Sequence, residues 1–191
     1  MVCAYMAEVF AERPDGTLQC ILLAVEGLID LQCCDVGVAA IEAVLQLDLP
    51  VVFNQSAHRP EVSAYWLAPS HWLLRVPDAN GQKLADRLRN AIHVAGAAAG
   101  GAADEALNAA VTVVSEAFVG IRLQGSGAAS LLSHGCALDL ELLIPGRCAR
   151  TLLARTQVLL VPLRHVAGYD LFVERNYAEY LREWVSLATR I

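Results

Sequence analysis

The sequence predicts an α+β fold built from two similar β-α-β-β-α halves, with antiparallel or mixed sheets and helices packed on them. Three observations carry that expectation. Ile29-Asp30-Leu31-Gln32 returns ninety-two positions later as Ile121-Arg122-Leu123-Gln124. Each copy is followed by a helix-like segment, Ala39 to Leu45 or Ala128 to Leu132, and then by Leu47-Asp48-Leu49 or Leu138-Asp139-Leu140. Each half then continues through an aromatic-rich strand, Tyr65 to Val76 or Tyr169 to Val173, to an amphipathic helix. Apolar runs of strand length alternating with helical periodicity indicate this class.

In the first half, Pro14-Asp15-Gly16 marks a turn. Thr17 to Ala24 and Gly27 to Leu31 read as strands. Asp35 is placed to cap a helix from Val36 to Leu45, in which Val38, Ile41 and Leu45 recur at helical spacing, and Pro50 is expected to stop it. Asn54 to Arg59 reads as a polar loop. Tyr65-Trp66-Leu67 and Trp72 to Val76 read as strands turning at residues 68–71. Leu84, Leu88 and Ile92 mark a second helix, with Asp78 or Asn80 near its start.

Residues 95–110 are dominated by Ala and Gly without a large periodic apolar residue, the composition of a flexible linker. The expected division is therefore 1–94 for the first half, 95–110 for the linker and 111–191 for the second half. There, Val111 to Val114 and Val119 to Leu123 read as strands, Gly125-Ser126-Gly127 as a turn into a helix, and Gly135 as a left-handed helix cap. Pro145-Gly146 turns the chain toward strands at 151–154, 157–163 and 169–173. A final helix from Tyr177 to Leu187 places Tyr177, Tyr180, Leu181, Trp184 and Leu187 on one face.

Composition narrows the function. A net charge of −6 argues against nucleic acid, which demands clustered cations. No apolar run reaches the ~18 residues of a membrane span, and no basic leader precedes an apolar segment, so a cytoplasmic protein without a membrane is expected. Lys83 is the sole lysine, so nearly all positive charge is arginine, which suits planar contacts to carboxylates at protein interfaces. Cys3, Cys20, Cys33, Cys34, Cys136 and Cys148 form no Cys-x-x-Cys pair, and reduced buried thiols are expected rather than a metal site.

Candidate chemistry is sparse. Gly125-Ser126-Gly127 lacks the third glycine of a dinucleotide loop, because position 130 is Ser130. Ser133, His134 and Cys136 are too close in sequence for a usual catalytic set, and His134 reads as the end of a helix. His58 and Arg59 read as solvated loop residues, with contact to a partner or an anion as the alternative. No carboxylate pair, histidine cluster or cofactor lysine stands out, so no catalytic, cofactor or metal residue is assigned.

The wording of the second half resembles a known family. Gly135-Cys136-Ala137-Leu138-Asp139-Leu140, residues 145–154 (Pro-Gly-Arg-Cys-Ala-Arg-Thr-Leu-Leu-Ala), Gly168 to Val173 and Tyr177 to Trp184 resemble, in that order, the gamma subunit of heterotetrameric sarcosine oxidase. Tyr65 to Leu74 looks like that family's tryptophan strand. The resemblance implies a fold like the folate-binding domain of the glycine-cleavage T-protein. It implies partners, the alpha, beta and delta subunits, and it implies that FAD, FMN, NAD, zinc and tetrahydrofolate sit on those subunits and none on this chain. Such complexes oxidatively demethylate sarcosine to glycine. The alternatives are a stand-alone folate-binding protein of T-protein type and a self-associating scaffold. On the fitness of arginine for interfaces, Arg147, Arg150 and Arg155 are the candidate partner surface.

Overall fold

Ile29-Asp30-Leu31-Gln32 and Ile121-Arg122-Leu123-Gln124 alternate apolar and polar residues, the pattern of strands with one face in a core. The structure is a computed structural model that describes residues 7–24, 27–77, 81–98 and 109–190. In it the first motif lies in β3 (Gly27–Gln32) and the second in β8 (Phe118–Gln124). Ile29, Leu31, Ile121 and Leu123 are fully buried, while Asp30 and Arg122 alternate onto the opposite face.

After β3 come α1 (Asp35–Leu45), β4 (Ser56–Arg59), β5 (Val62–Ala68), β6 (His71–Val76) and α2 (Gly81–Ala98). After β8 come α3 (Ala128–Ser133), β9 (Ala149–Leu153), β10 (Thr156–Pro162), β11 (Gly168–Glu174) and α4 (Arg175–Ala188). The order strand, helix, three strands, helix occurs twice. The α+β class with antiparallel sheets is as expected, and each repeat carries one more strand than the expected order. In the first repeat that strand is β4. Residues 56–59 pair with β5 from Ser56↔Tyr65 to Arg59↔Val62, so the expected polar loop is an edge strand.

Three strands stand outside the repeats: β1 (Glu8–Glu12), β2 (Gln19–Leu22) and β7 (Ala110–Val113). The six-stranded sheet runs β1-β2-β8-β11-β10-β9 and the five-stranded sheet β4-β5-β6-β3-β7. In both, the first strand of a repeat lies between that repeat's last strand and an outside strand. The outside strands are exchanged: β2 leads into β3 but pairs with β8, and β7 leads toward β8 but pairs with β3. Two compact units result, Met1–Val25 with Glu116–Ile191, and Glu26–Ser115. This differs from a division at 95–110. Val111 and Val113 extend the apolar face of β3 opposite Leu31 and Ile29, which draws β7 into the first repeat's sheet. Ala95 to Ala98 complete α2, and residues 99–108 of the expected linker lie outside the described residues.

Each unit has its own core. Leu131, Leu132, Leu160, Leu171, Leu181 and Val185 anchor one; Ile41, Leu45, Leu74, Leu84, Leu88 and Ile92 anchor the other. Each such side chain contributes about 1.5–3 kcal/mol on burial. α1 begins at Asp35, so the cap position falls on Cys34, which supplies no side-chain hydrogen bond. It ends well before Pro50, where Gln46 turns left-handed (φ 50°). The Glu42 carboxylate then accepts the Leu49 N–H at 2.8 Å, and the Pro50 carbonyl accepts the Trp72 indole N–H at 2.7 Å. The expected α2 start at Asp78 or Asn80 lies outside the described residues.

Two expectations in the second repeat are corrected. Gly135 is not left-handed; it is needed for space, since a Cβ there would sit 2.6 Å from Cζ2 of Trp184. In α4 the buried stripe is Leu181, Val185 and Ala188, with Ala178 and Trp184 partly buried beside it. Tyr177 (51%), Tyr180 (48%) and Leu187 (62%) stay exposed. The helix rotates its aliphatic stripe onto the sheet and leaves the tyrosine hydroxyls where they can be hydrogen-bonded; Tyr180 donates to the Ala154 carbonyl at 3.0 Å. No helix among the described residues is long and apolar enough to cross a membrane.

Candidate interaction surface

Between Glu141 and Asp170 the chain has no acidic residue, yet it carries Arg147, Arg150, Arg155, Arg164 and His165. Folding exposes all five. Arg147 closes a turn in which its N–H donates to the Ile144 carbonyl at 3.0 Å and Gly146 adopts φ +94°. Arg150 lies on β9 opposite Leu159 of β10, and Leu152, two residues on, shares its outward side. Arg155 occupies the β9–β10 hairpin, where Ala154 and Arg155 are both left-handed (φ 49° and 67°). This two-residue turn lacks the usual Asn or Gly. It is held by Ala154, whose N–H donates to the Gly135 carbonyl at 3.0 Å.

The three arginines singled out in the sequence thus lie along the edge strand β9 and at the turns flanking it. Leu142 (70%), Ile144 (56%) and Leu152 (59%) add exposed aliphatic surface to the same stretch. Sequence reasoning passed over Arg164, His165 and Val166, in the β10–β11 loop that the Leu163 N–H closes onto the Gly168 carbonyl at 2.9 Å. The legible signal was the acid-free run itself. Between this loop and Leu140 to Pro145 opens a cleft of ≈ 500 Å³, lined by Leu140, Leu143, Ile144, Pro162, Arg164 and Val166 among others.

The Ser133, His134 and Cys136 cluster is held by structural bonds: Ser133 Oγ and the His134 ring both reach the Ser130 carbonyl at 2.8 Å, and buried Cys136 meets the Thr151 hydroxyl at 3.7 Å. These bonds do not join Ser133 or Cys136 to the His134 ring. In the Gly125–Gly127 turn, the Gly125 N–H donates to the Ala167 carbonyl and the Gly127 N–H to Thr17, which leaves them turned away from any phosphate. The strand-to-helix turn favoured by the sequence is what forms. His58 lies on β4, not in a loop, with its ring between the Ser56 (2.8 Å) and Ser63 (3.0 Å) hydroxyls. Cys20, Cys33, Cys136 and Cys148 are buried thiols. Burial pushes Cys20 up to about 12, against a smaller opposing pull from Arg13. Among the described residues no three His, Cys, Asp or Glu side chains converge as metal ligands.

Two cross-strand side-chain pairs were not anticipated. Asp30 of β3 pairs with His71 of β6 at 2.7 Å, and Arg122 of β8 grips Asp170 of β11 through two bonds of 2.7 and 2.9 Å. Each links the first and last strands of a repeat. Their residues carry no spacing signal, since the pairing comes from strand register.

Comparison with known proteins completes the description. A heterotetrameric sarcosine oxidase from Corynebacterium sp. U-96, in complex with pyrrole 2-carboxylate, contains a chain similar to this one with TM-score 0.78 and 21% identity. The match covers 91% of this chain and 84% of that one, and at this identity it speaks for the fold. The regulatory subunit of aspartate kinase from Thermus thermophilus matches with TM-score 0.43 and 10% identity over 88% of this chain and 95% of that one, too low to bear on the fold. The comparison with curated proteins found no match. The model of the sarcosine oxidase, gamma subunit family matches residues 32–190, and the chain belongs to that family.

Proposed function

We propose that this chain is a non-catalytic assembly subunit of a flavin-dependent, cytoplasmic complex of sarcosine oxidase type. The observation that carries this reading is the family match, which spans both repeats from residue 32 to residue 190. The complex oxidatively demethylates sarcosine to glycine, and the one-carbon unit passes to tetrahydrofolate or leaves as formaldehyde. FAD, FMN, NAD, zinc and tetrahydrofolate belong to the alpha, beta and delta subunits. The Gly125–Gly127 turn does not suit a dinucleotide, because its glycine amides are engaged by backbone carbonyls, and among the described residues no three His, Cys, Asp or Glu side chains converge on a zinc site. That engagement supports a structural role.

The partner surface in this reading is the edge strand β9 with Arg147, Arg150 and Arg155. Exposed arginines beside exposed aliphatic side chains are the composition of interfaces. Co-production of the chain with the alpha, beta and delta subunits is expected to yield one co-eluting flavoprotein complex; elution of the chain as a lone monomer overturns the reading. Arg147→Glu with Arg150→Glu is expected to weaken assembly by roughly tenfold or more, as charge reversals at interfaces do. Unchanged assembly of that variant moves the contact elsewhere on the chain.

A further inference from the structure

The cleft between the 140–145 segment and the β10–β11 loop has a composition that selects its occupant. Its lining is mostly apolar, with Leu140, Leu143, Ile144, Pro162 and Val166 beside the polar Ser126 and Tyr169. Ile144 (56%) and Val166 (49%) remain half exposed at the rim, so apolar surface is left to be covered. The basic residues among its lining are Arg164 and His165, both exposed and adjacent in sequence, and no acidic residue lines it. The exposed acids Asp139 and Glu141 flank Leu140 in sequence and are not among the lining.

We infer that this cleft is the seat of an acidic, aliphatic peptide segment of a partner subunit. The aliphatic side chains of that segment cover Ile144 and Val166, and its carboxylates point to Arg164 and His165, away from Asp139 and Glu141. Charge complementarity favours such a segment, because the lining holds Arg164 and His165 and no acidic residue, on a chain whose net charge is −6. A small-molecule site would call for buried polar groups converging on the ligand. Here the basic lining groups, Arg164 and His165, are exposed. The inference rests on the assembly function proposed above.

The test is assembly of the full chain with its co-produced partner subunits, followed by size-exclusion chromatography across a salt series. Three variants are compared with the wild type: Arg164→Glu with His165→Glu, Ile144→Asp with Val166→Asp, and the control Lys83→Glu in the other unit. The first two are expected to lower apparent affinity at least tenfold, and the first to flatten the salt dependence as well; the control assembles as the wild type does. Normal assembly of both cleft variants overturns the inference while leaving the assembly function standing. A wild-type chain that fails to assemble overturns both. Hydrogen exchange on the wild-type complex guards against variants that misfold: residues 140–145 and 163–168 are expected to gain protection on assembly, and unchanged exchange there overturns the inference. A small molecule found bound in the cleft by native mass spectrometry, or a homo-oligomer that buries it, overturns it equally.

Discussion

The Arg122–Asp170 pair is the most committed polar contact on the described chain. The Asp170 side chain is 2% exposed and Arg122 31% exposed, and the geometry is bidentate. Losing Arg122 strips the buried Asp170 carboxylate of its bidentate partner, whereas replacing both with apolar groups removes the buried charge. Arg122→Met is expected to cost about 3 kcal/mol in urea unfolding, and Arg122→Met with Asp170→Leu much less. Equal losses would show that the pair is not the relevant unit. Cys20 sets a pH dependence. Its thiol ionises near 9.0 when unfolded and only near 12 when folded, because burial disfavours the thiolate. A raised folded value means that the contribution is fully present below pH 9 and is lost as pH rises toward 12. Tyr169, raised by burial, adds loss of the same sign in the alkaline range. Stability measured across that range is expected to fall more gently in Cys20→Ala, by one proton per molecule in the slope; an unchanged slope would contradict the assignment.

Among the elements, α4 and the turn below it are fitted to each other. Gly135 lies so close to the Trp184 ring that a methyl group cannot enter without movement. Gly135→Ala is expected to cost about 1–3 kcal/mol through overpacking. Adding Trp184→Leu to it should recover part of that loss, and a Gly135→Ala protein as stable as the wild type would refute the close fit. This contact also shows what the sequence could convey. The glycine was visible as a special position, but whether it served φ or space depended on a tryptophan almost fifty residues away. The strands β3, β6, β8 and β11 were legible because their apolar patterns are local, an alternation in β3 and β8 and a short apolar run in β6 and β11. The strand β4 was not, since an edge strand half open to water reads like a loop. The buried face of α4 was misjudged because two stripes, one aromatic and one aliphatic, share helical spacing, and only packing against the sheet chooses between them. Of the candidate surface, Arg147, Arg150 and Arg155 were legible as exposed cations. Arg164 and His165 were legible only as part of the acid-free run, because the cleft they line with Leu140 is a tertiary feature.

For the whole molecule, the duplication seen in the sequence is carried by two sheets with one arrangement. The first strand lies at the centre of each repeat, flanked by the repeat's last strand and by a strand from outside it. The Asp30–His71 and Arg122–Asp170 contacts each join the first strand of a repeat to its last, diagonally in one sheet and directly across in the other. What the repeats do not share is the acid-free, aliphatic-and-arginine surface of residues 142–169, which belongs to the second alone.

The exchange of β2 and β7 also imposes an order in time. The first strands of the six-stranded sheet leave the ribosome before residues 26–115, but their neighbour β8 follows only after that whole unit. At ribosomal rates the gap is roughly five to twenty seconds. The inner unit can close its sheet with β7 while β2 still lacks the strand it will bind, so synthesis itself makes the inserted unit the first to fold and leaves the N-terminal hairpin waiting.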